Sequence, residues 1–203
     1  MRIITISREF GSGGRELGKR LADELGYAYY DKEIISKIAS EVELDEEYVD
    51  HMLTKGIANN FSITYASSFG FNSYAQQSAT NLLLAQQKIL RRLAMEGNCV
   101  IVGRSANEIL KDLNPLSIFV YANMESKIKR CLDRATEEEN LNESKVKKMI
   151  KQIDSNRAKQ HELHSDLKWG AKEGYNLCID TSNVTIKKIV PIVAKYAMAW
   201  FEK

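Results

Sequence analysis

The segment from the N-terminus through Arg15 constrains this chain more than any other stretch. Met1-Arg-Ile-Ile-Thr-Ile-Ser7 is rich in β-branched apolar residues and predicts a buried strand. Arg8-Glu9-Phe10-Gly11-Ser12-Gly13-Gly14-Arg15 predicts a glycine-rich turn. Glu16-Leu-Gly-Lys-Arg-Leu-Ala-Asp-Glu-Leu25 then carries helical spacing. Strand, glycine turn and helix in that order build an anion cradle: glycines let the backbone approach a phosphate, and the amides at the helix start point at it. The bland alternative is an ordinary strand-to-helix connection.

The standard phosphate loop reads G-x-x-x-x-G-K-[ST]. With Gly14-Arg15 in place of Gly-Lys, the first glycine becomes Glu9 and the hydroxyl residue becomes Glu16. Arg15 suits phosphate oxygens through its planar fork. A carboxylate at Glu16 either reaches a magnesium ion or repels the phosphates.

A chain of 203 residues fits one α/β domain, residues 1–203, with room for a real core. With 29 basic and 27 acidic residues there is no case for a nucleic-acid polymer as partner, so any phosphate site must rest on a local basic pocket. Cys99, Cys131 and Cys178 lie far apart and are expected to be reduced core or near-core thiols. No apolar run reaches membrane-spanning length, and a chain that opens on a core strand is expected to carry no leader. The simplest expectation is a cytoplasmic protein that binds no membrane.

Further strands are predicted at Ala28–Tyr30, Asn98–Gly103, Leu116–Tyr121 and Tyr175–Asp180. Helices are predicted at 32–41, 45–53, 80–96, 123–138, 143–164 and 185–201. Five short apolar strands alternating with helices mean a parallel sheet covered on both faces. Ligands of such sheets gather at the carboxyl ends of the strands. The glycine turn, Asp31, Arg104 and Asp180 all follow strands directly.

Each candidate has a plainer reading. Asp31 is a helix cap or a substrate contact. Arg104 is a ligand-binding cation or half of an ion pair. Arg130, Arg134 and Arg157 are phosphate contacts or solvated helix charges. Arg8 and Glu9 pair locally or touch the ligand. His161 and His164 have H-x-x-H spacing without an evident third ligand. Residues 56–78 hold Phe61, Tyr65, Phe69, Phe71 and Tyr74 without periodicity; they are read as internal packing, a base-stacking surface or a homo-oligomer interface.

Four segments carry a resemblance along nearly the whole chain: Ile3-Thr-Ile-Ser-Arg-Glu-Phe-Gly-Ser-Gly-Gly-Arg15, Tyr29-Tyr-Asp-Lys-Glu33, Val100-Ile-Val-Gly-Arg-Ser-Ala106 and Asn176-Leu-Cys-Ile-Asp-Thr-Ser182. The chain resembles the nucleoside monophosphate kinases, and most closely the cytidylate kinase-like family. The resemblance implies a three-layer P-loop NTPase fold with a five-stranded parallel sheet, a monophosphate-binding insert at about 32–96 and a helical lid at about 135–172. It implies that Gly11, Ser12, Gly13, Gly14 and Arg15 cradle the donor phosphates of ATP, with Glu16 beside them as a candidate Mg²⁺ ligand. Asp31 then serves the acceptor, Arg104 clamps the acceptor phosphate, and Arg130 and Arg134 lead into the lid. Arg157 belongs to the lid itself, though Ile153 stands where a further arginine is expected. Asp180 falls near the donor base.

The expected activity is ATP- and Mg²⁺-dependent phosphoryl transfer to CMP or dCMP. Two alternatives stay open: a kinase for another small-molecule acceptor, and a nucleotide-binding regulator with little turnover because of the altered loop.

Overall fold

A computed structural model describes residues 1–56, 73–136 and 139–202. Strand β1 (Ile3–Arg8) is buried through Ser7 and sits at the centre of the sheet. Around it lie β2 (Ala28–Tyr30), β3 (Cys99–Val102), β4 (Leu116–Tyr121) and β5 (Leu177–Asp180), in the order β2-β3-β1-β4-β5. Every pairing is parallel. All five carboxyl ends therefore open on one edge.

Alternation along β1 sends successive side chains to opposite layers. Ile4 and Ile6 pack with Leu17 and Leu21 of α1 (Gly14–Leu25) and with Val190 and Val193 of the C-terminal helix Ile186–Phe201. Ile3 packs the other way, with Ile34 and Ile38 of α2 (Glu33–Val42) and with Leu82, Ile89 and Leu93 of α4 (Ser73–Met95). Between them runs α3 (Glu46–His51), capped by the Asp45 carboxylate and continued as a wide π turn through Gly56. The result is the three-layer fold expected from the strand pattern.

The remaining helices carry the site. A single turn, α5 (Ala106–Ile109), follows β3; α6 (Met124–Leu132) follows β4; α7 (Glu143–Glu162) precedes β5. The helix Ile186–Phe201 is α8.

Three expectations change. Helix α4 begins at Ser73, not Thr80, because Ser73–Ala79 contains no glycine or proline to stop it. Helix α6 ends at Leu132, well short of residue 138: the amides of Arg134 and Ala135 turn back three residues, to Cys131 and Leu132, and close the helix. Cys99 is buried and Cys131 partly so, but Cys178 is exposed, since the edge strand β5 turns it outward. Of the aromatic stretch, residues 57–72 lie outside the described residues, and with them its proposed roles as stacking surface or oligomer interface.

Candidate active site

The loop after β1 is held from behind. Glu9 N–H donates to Val120, Phe10 N–H donates to the Asp154 carboxylate at 2.7 Å, and the Ser12 hydroxyl donates to the Glu9 carbonyl at 2.8 Å. Gly11 and Gly13 have φ of +77° and +84°, where side chains are strained. A Cβ on Gly11 would also stand 2.9 Å from the Lys127 carbonyl oxygen. Helix α1 starts at Gly14 with no side-chain cap. Its first-turn amides have no acceptor within the helix, so they face the loop as free donors for an anion.

A cleft of about 670 Å³ is lined by the residues at the two ends of this loop, Ser7, Arg8 and Arg15. Four guanidinium groups from four separate elements line it: Arg8 ends β1, Arg15 opens α1, Arg104 follows β3, and Arg157 comes from α7. Asp31, 8% exposed after β2, is the buried carboxylate among them. It accepts from Arg15 Nε and from the Tyr29 hydroxyl at 3.4 Å, and lies 3.8 Å from Arg8. It does not cap α2, whose leading residue Lys32 is already helical and uncapped. Burial, followed by the Asp31 charge, pushes the Tyr29 phenol up to about 12.

Arg104 reaches from the end of β3 to α3 and the turn that continues it. Its guanidinium donates to Asp50 at 2.7 Å and to the Thr54 hydroxyl at 3.5 Å. Gly103, Arg104 and Ser105 are all left-handed, with φ of +81°, +57° and +52°. Strain of this kind persists only where surrounding contacts enforce it. Here the buried Gln86 side chain donates to the Arg104 carbonyl at 3.3 Å.

Arg157 donates to the Arg8 carbonyl at 2.9 Å, pairs with Asp154 at 3.6 Å and lies over the Phe10 ring at 5.7 Å. Burial lowers its pKa. Ile153, one turn earlier, lines the same cleft as an apolar residue. Beneath the loop, the nearly buried Lys127 ammonium joins Glu9 at 3.0 Å and Asp154 at 3.4 Å.

The other predicted residues sit around this centre. Arg130 lies behind the loop, donating to the carbonyls of Gly11, Ser12, Thr181 and Val184. Glu16 and Arg134 meet on the outer rim at 2.5 Å, and Glu16 also takes Arg20 at 2.9 Å. Asp180 is exposed and outside the cleft; its carboxylate holds the Ser182 amide at 2.8 Å, and hydrogen bonds from Ser182 lower its pKa.

His161 and His164 gather no third ligand: among the described residues no group of three or more His, Cys, Asp or Glu side chains is placed to hold a metal. His161 is 2% exposed on the cleft wall with Nε2 unpartnered.

Sequence reading missed several of these groups. Arg8 and Glu9 do not pair with each other: Arg8 turns into the cleft and Glu9 turns under the loop to Lys127. Position at the strand end was the signal for Arg8. Nothing in the sequence pointed to Lys127 or Asp50, which reach the site from distant elements, and Asp154 stood out only as part of the Asp154-Ser-Asn-Arg157 segment that resembles the lid pattern.

The model of the cytidylate kinase-like family matches residues 3–183. A solved structure of an uncharacterized protein from Eubacterium ventriosum ATCC 27560 is 28% identical, covers 97% of this chain and 98% of its own, and superimposes with a TM-score of 0.68. Shikimate kinases share the fold at 14% identity. The enzyme from Bacteroides thetaiotaomicron gives a TM-score of 0.55 over 96% of this chain and 97% of its own. The one from Acinetobacter baumannii, in complex with shikimate, gives 0.53 over 98% and 94%. No curated protein matches the chain. No helix among the described residues is long and apolar enough to cross a membrane.

Proposed function

This chain belongs to the cytidylate kinase-like family, and we propose that it moves the γ-phosphoryl group of Mg²⁺-ATP onto a nucleoside monophosphate, CMP or dCMP. One observation carries the reading: Arg8, Arg15, Arg104 and Arg157 converge from separate elements on one cleft, and Arg8 and Arg15 flank an uncapped glycine loop. Phosphoryl transfer asks for little covalent help from a protein. It needs the two phosphates in line and their charge neutralised, and cations fixed in a cleft supply both.

In this reading the amides of Gly13, Gly14 and Arg15 receive the donor phosphates. Arg104, reaching toward the insert, takes the acceptor phosphate, and its pairing with Asp50 holds it ready. Asp31 orients Arg15 through the bond to Nε. Arg157 lies on the lid helix and closes the cleft from above; water exclusion there protects the transfer from hydrolysis. Magnesium, when bound with ATP, neutralises phosphate charge. Glu16 is the carboxylate nearest the helix start, and its oxygens are shared by Arg20 and Arg134. The ion's ligands therefore come mainly from the nucleotide and water, as is common for Mg²⁺.

A second reading, a different small-molecule acceptor, is favoured by the cleft wall itself. Glu46, Glu47 and Asp50 face the arginines, and Ile153 replaces an expected lid cation. That wall suits an acceptor with hydroxyls better than one with a second phosphate.

A coupled ADP-release assay with Mg²⁺-ATP against CMP, dCMP, UMP, AMP and GMP tests the proposal, alongside thermal-shift titration of each nucleotide. Turnover with a pyrimidine monophosphate is expected. Stabilisation by ATP without turnover on any of them would reject the nucleotide acceptor and favour the second reading or a binding role.

A further inference from the structure

We infer that Arg8, made possible by glycine at position 14, takes the place of the lysine that other phosphate loops carry at the helix start. This deepens the proposed function and rests on it, since it requires the cleft to receive nucleotide phosphates.

The register is set by the element boundaries. In the standard loop the lysine opens the helix, and the first glycine stands at the strand's carboxyl end, earlier by the pattern's fixed spacing. Strand β1 ends at Arg8 and α1 opens at Gly14, with left-handed Gly13 just before it. Laid on these boundaries, the eight-position pattern puts Arg8 at the first glycine and Gly14 at the lysine. This is one residue earlier than the alignment that gave Arg15 the lysine's place. The chain has exchanged the two residue types: a cation at the strand end, a glycine at the helix start.

The exchange is sterically matched. A Cβ on Gly14 would lie 2.5 Å from the Arg8 Cβ and 3.2 Å from the Val120 Cβ. A side chain at 14 and an arginine at 8 thus exclude each other. Arg8 runs through the vacated space, and its guanidinium arrives against Gly103, where an added Cβ would be 1.9 Å from Nη1. There it lines the cleft with 19% of its side chain exposed.

The guanidinium is also unsatisfied. Among the described residues it donates no side-chain hydrogen bond, and its nearest carboxylate, on Asp31, is 3.8 Å away. Arg15, by contrast, is already bonded to Asp31. A largely shielded guanidinium with five donors and one carboxylate 3.8 Å away has donors to spare for a ligand that brings oxygens to it. Burial first, and Arg157 next, push its pKa down to about 9, so it stays charged at neutral pH. A bound phosphate would supply both the missing acceptors and the opposite charge.

Calorimetric titration with Mg²⁺-ADP tests this on wild type, Arg8→Met, Arg15→Gln, Arg8→Gly and the double variant Arg8→Gly/Gly14→Lys. Arg8→Met should weaken binding by about tenfold to a hundredfold, the usual worth of a charge-assisted contact, and more than Arg15→Gln does. Its ligand-free unfolding temperature should equal or exceed that of wild type, because a charge with only a distant carboxylate has left a largely shielded site. The double variant should regain most of the affinity lost by Arg8→Gly. An Arg8→Met affinity within about twofold of wild type would overturn the inference and leave the proposed function standing. So would a lower unfolding temperature of ligand-free Arg8→Met, which would make Arg8 a structural residue, or a double variant no better than Arg8→Gly. Wild-type protein that binds no nucleotide would overturn the proposed function and this inference together.

Discussion

The backbone N–H of Phe10 donates to the Asp154 carboxylate at 2.7 Å, which bonds the loop after β1 to the middle of helix α7. The same carboxylate faces the Lys127 ammonium at 3.4 Å. Asp154→Ala should therefore cost about 1–3 kcal/mol, since a buried donor loses its acceptor and a buried ammonium loses one of two carboxylates. Asp154→Asn keeps an acceptor for Phe10 and should lose less. Urea unfolding of the two variants measures the order.

Arg130 clasps four backbone carbonyls that join the loop to the segment after β5. Arg130→Met should lower stability by about 1–3 kcal/mol through carbonyls left without donors. Arg130→Lys should recover only part, because a point charge cannot span the same fork of acceptors. Thermal unfolding without nucleotide reads this; a loss seen only with nucleotide present would mean that Arg130 acts on ligand instead.

Arg104 sits in strained backbone and points at Asp50 of α3. Arg104→Ala should raise the acceptor KM by about tenfold to a hundredfold, with the KM for ATP changed much less. Arg104→Gly should lose acceptor binding equally while raising the unfolding temperature above that of Arg104→Ala, because glycine tolerates φ of +57°. Equal unfolding temperatures would show that the turn carries no strain.

Burial lowers the pKa of His161, and burial with the neighbouring His161 charge lowers that of His164. The unfolded chain therefore takes up protons first as pH falls through the ordinary imidazole value of 6.5. The stability from these groups is full above that value and is lost on acidification below it. The drop in unfolding temperature between about pH 7.5 and pH 5.5 should shrink in His161→Gln. An equal drop would move the effect to other groups.

The three thiols should separate under a thiol reagent. Cys178 is exposed and should react first, Cys131 more slowly, and Cys99 only on unfolding, its pKa pushed up to about 11 by burial. Peptide mapping after timed labelling gives the order.

Much of this architecture was legible in the chain. Runs such as Cys99–Val102 and Ile118–Val120 are apolar without alternation because both faces of their sheet are covered. The strand-to-helix order then fixes a parallel sheet, and with it the edge where Arg104, Asp31 and the glycine turn must gather. Those features depend on local spacing, and spacing is written in sequence.

The pairings among the charges were not legible. Arg8 and Glu9 are neighbours, yet one turns to the cleft and the other to Lys127, more than a hundred residues away. Glu16 meets Arg134 across 118 residues, and Arg104 meets Asp50 across 54. An arginine looks the same in a sequence whether it will be solvated, paired or held out for a ligand. Only packing decides, because desolvation and a partner's distance set a charge's energy, and both arise when distant elements close on one another. The sequence by itself determined the sheet, its glycine loop and the edge at which a phosphate can bind. The tertiary structure decided that Arg15 is tied to Asp31 and that Arg8 fills the space Gly14 leaves, since steric exclusion between them exists only once β1 and α1 are packed.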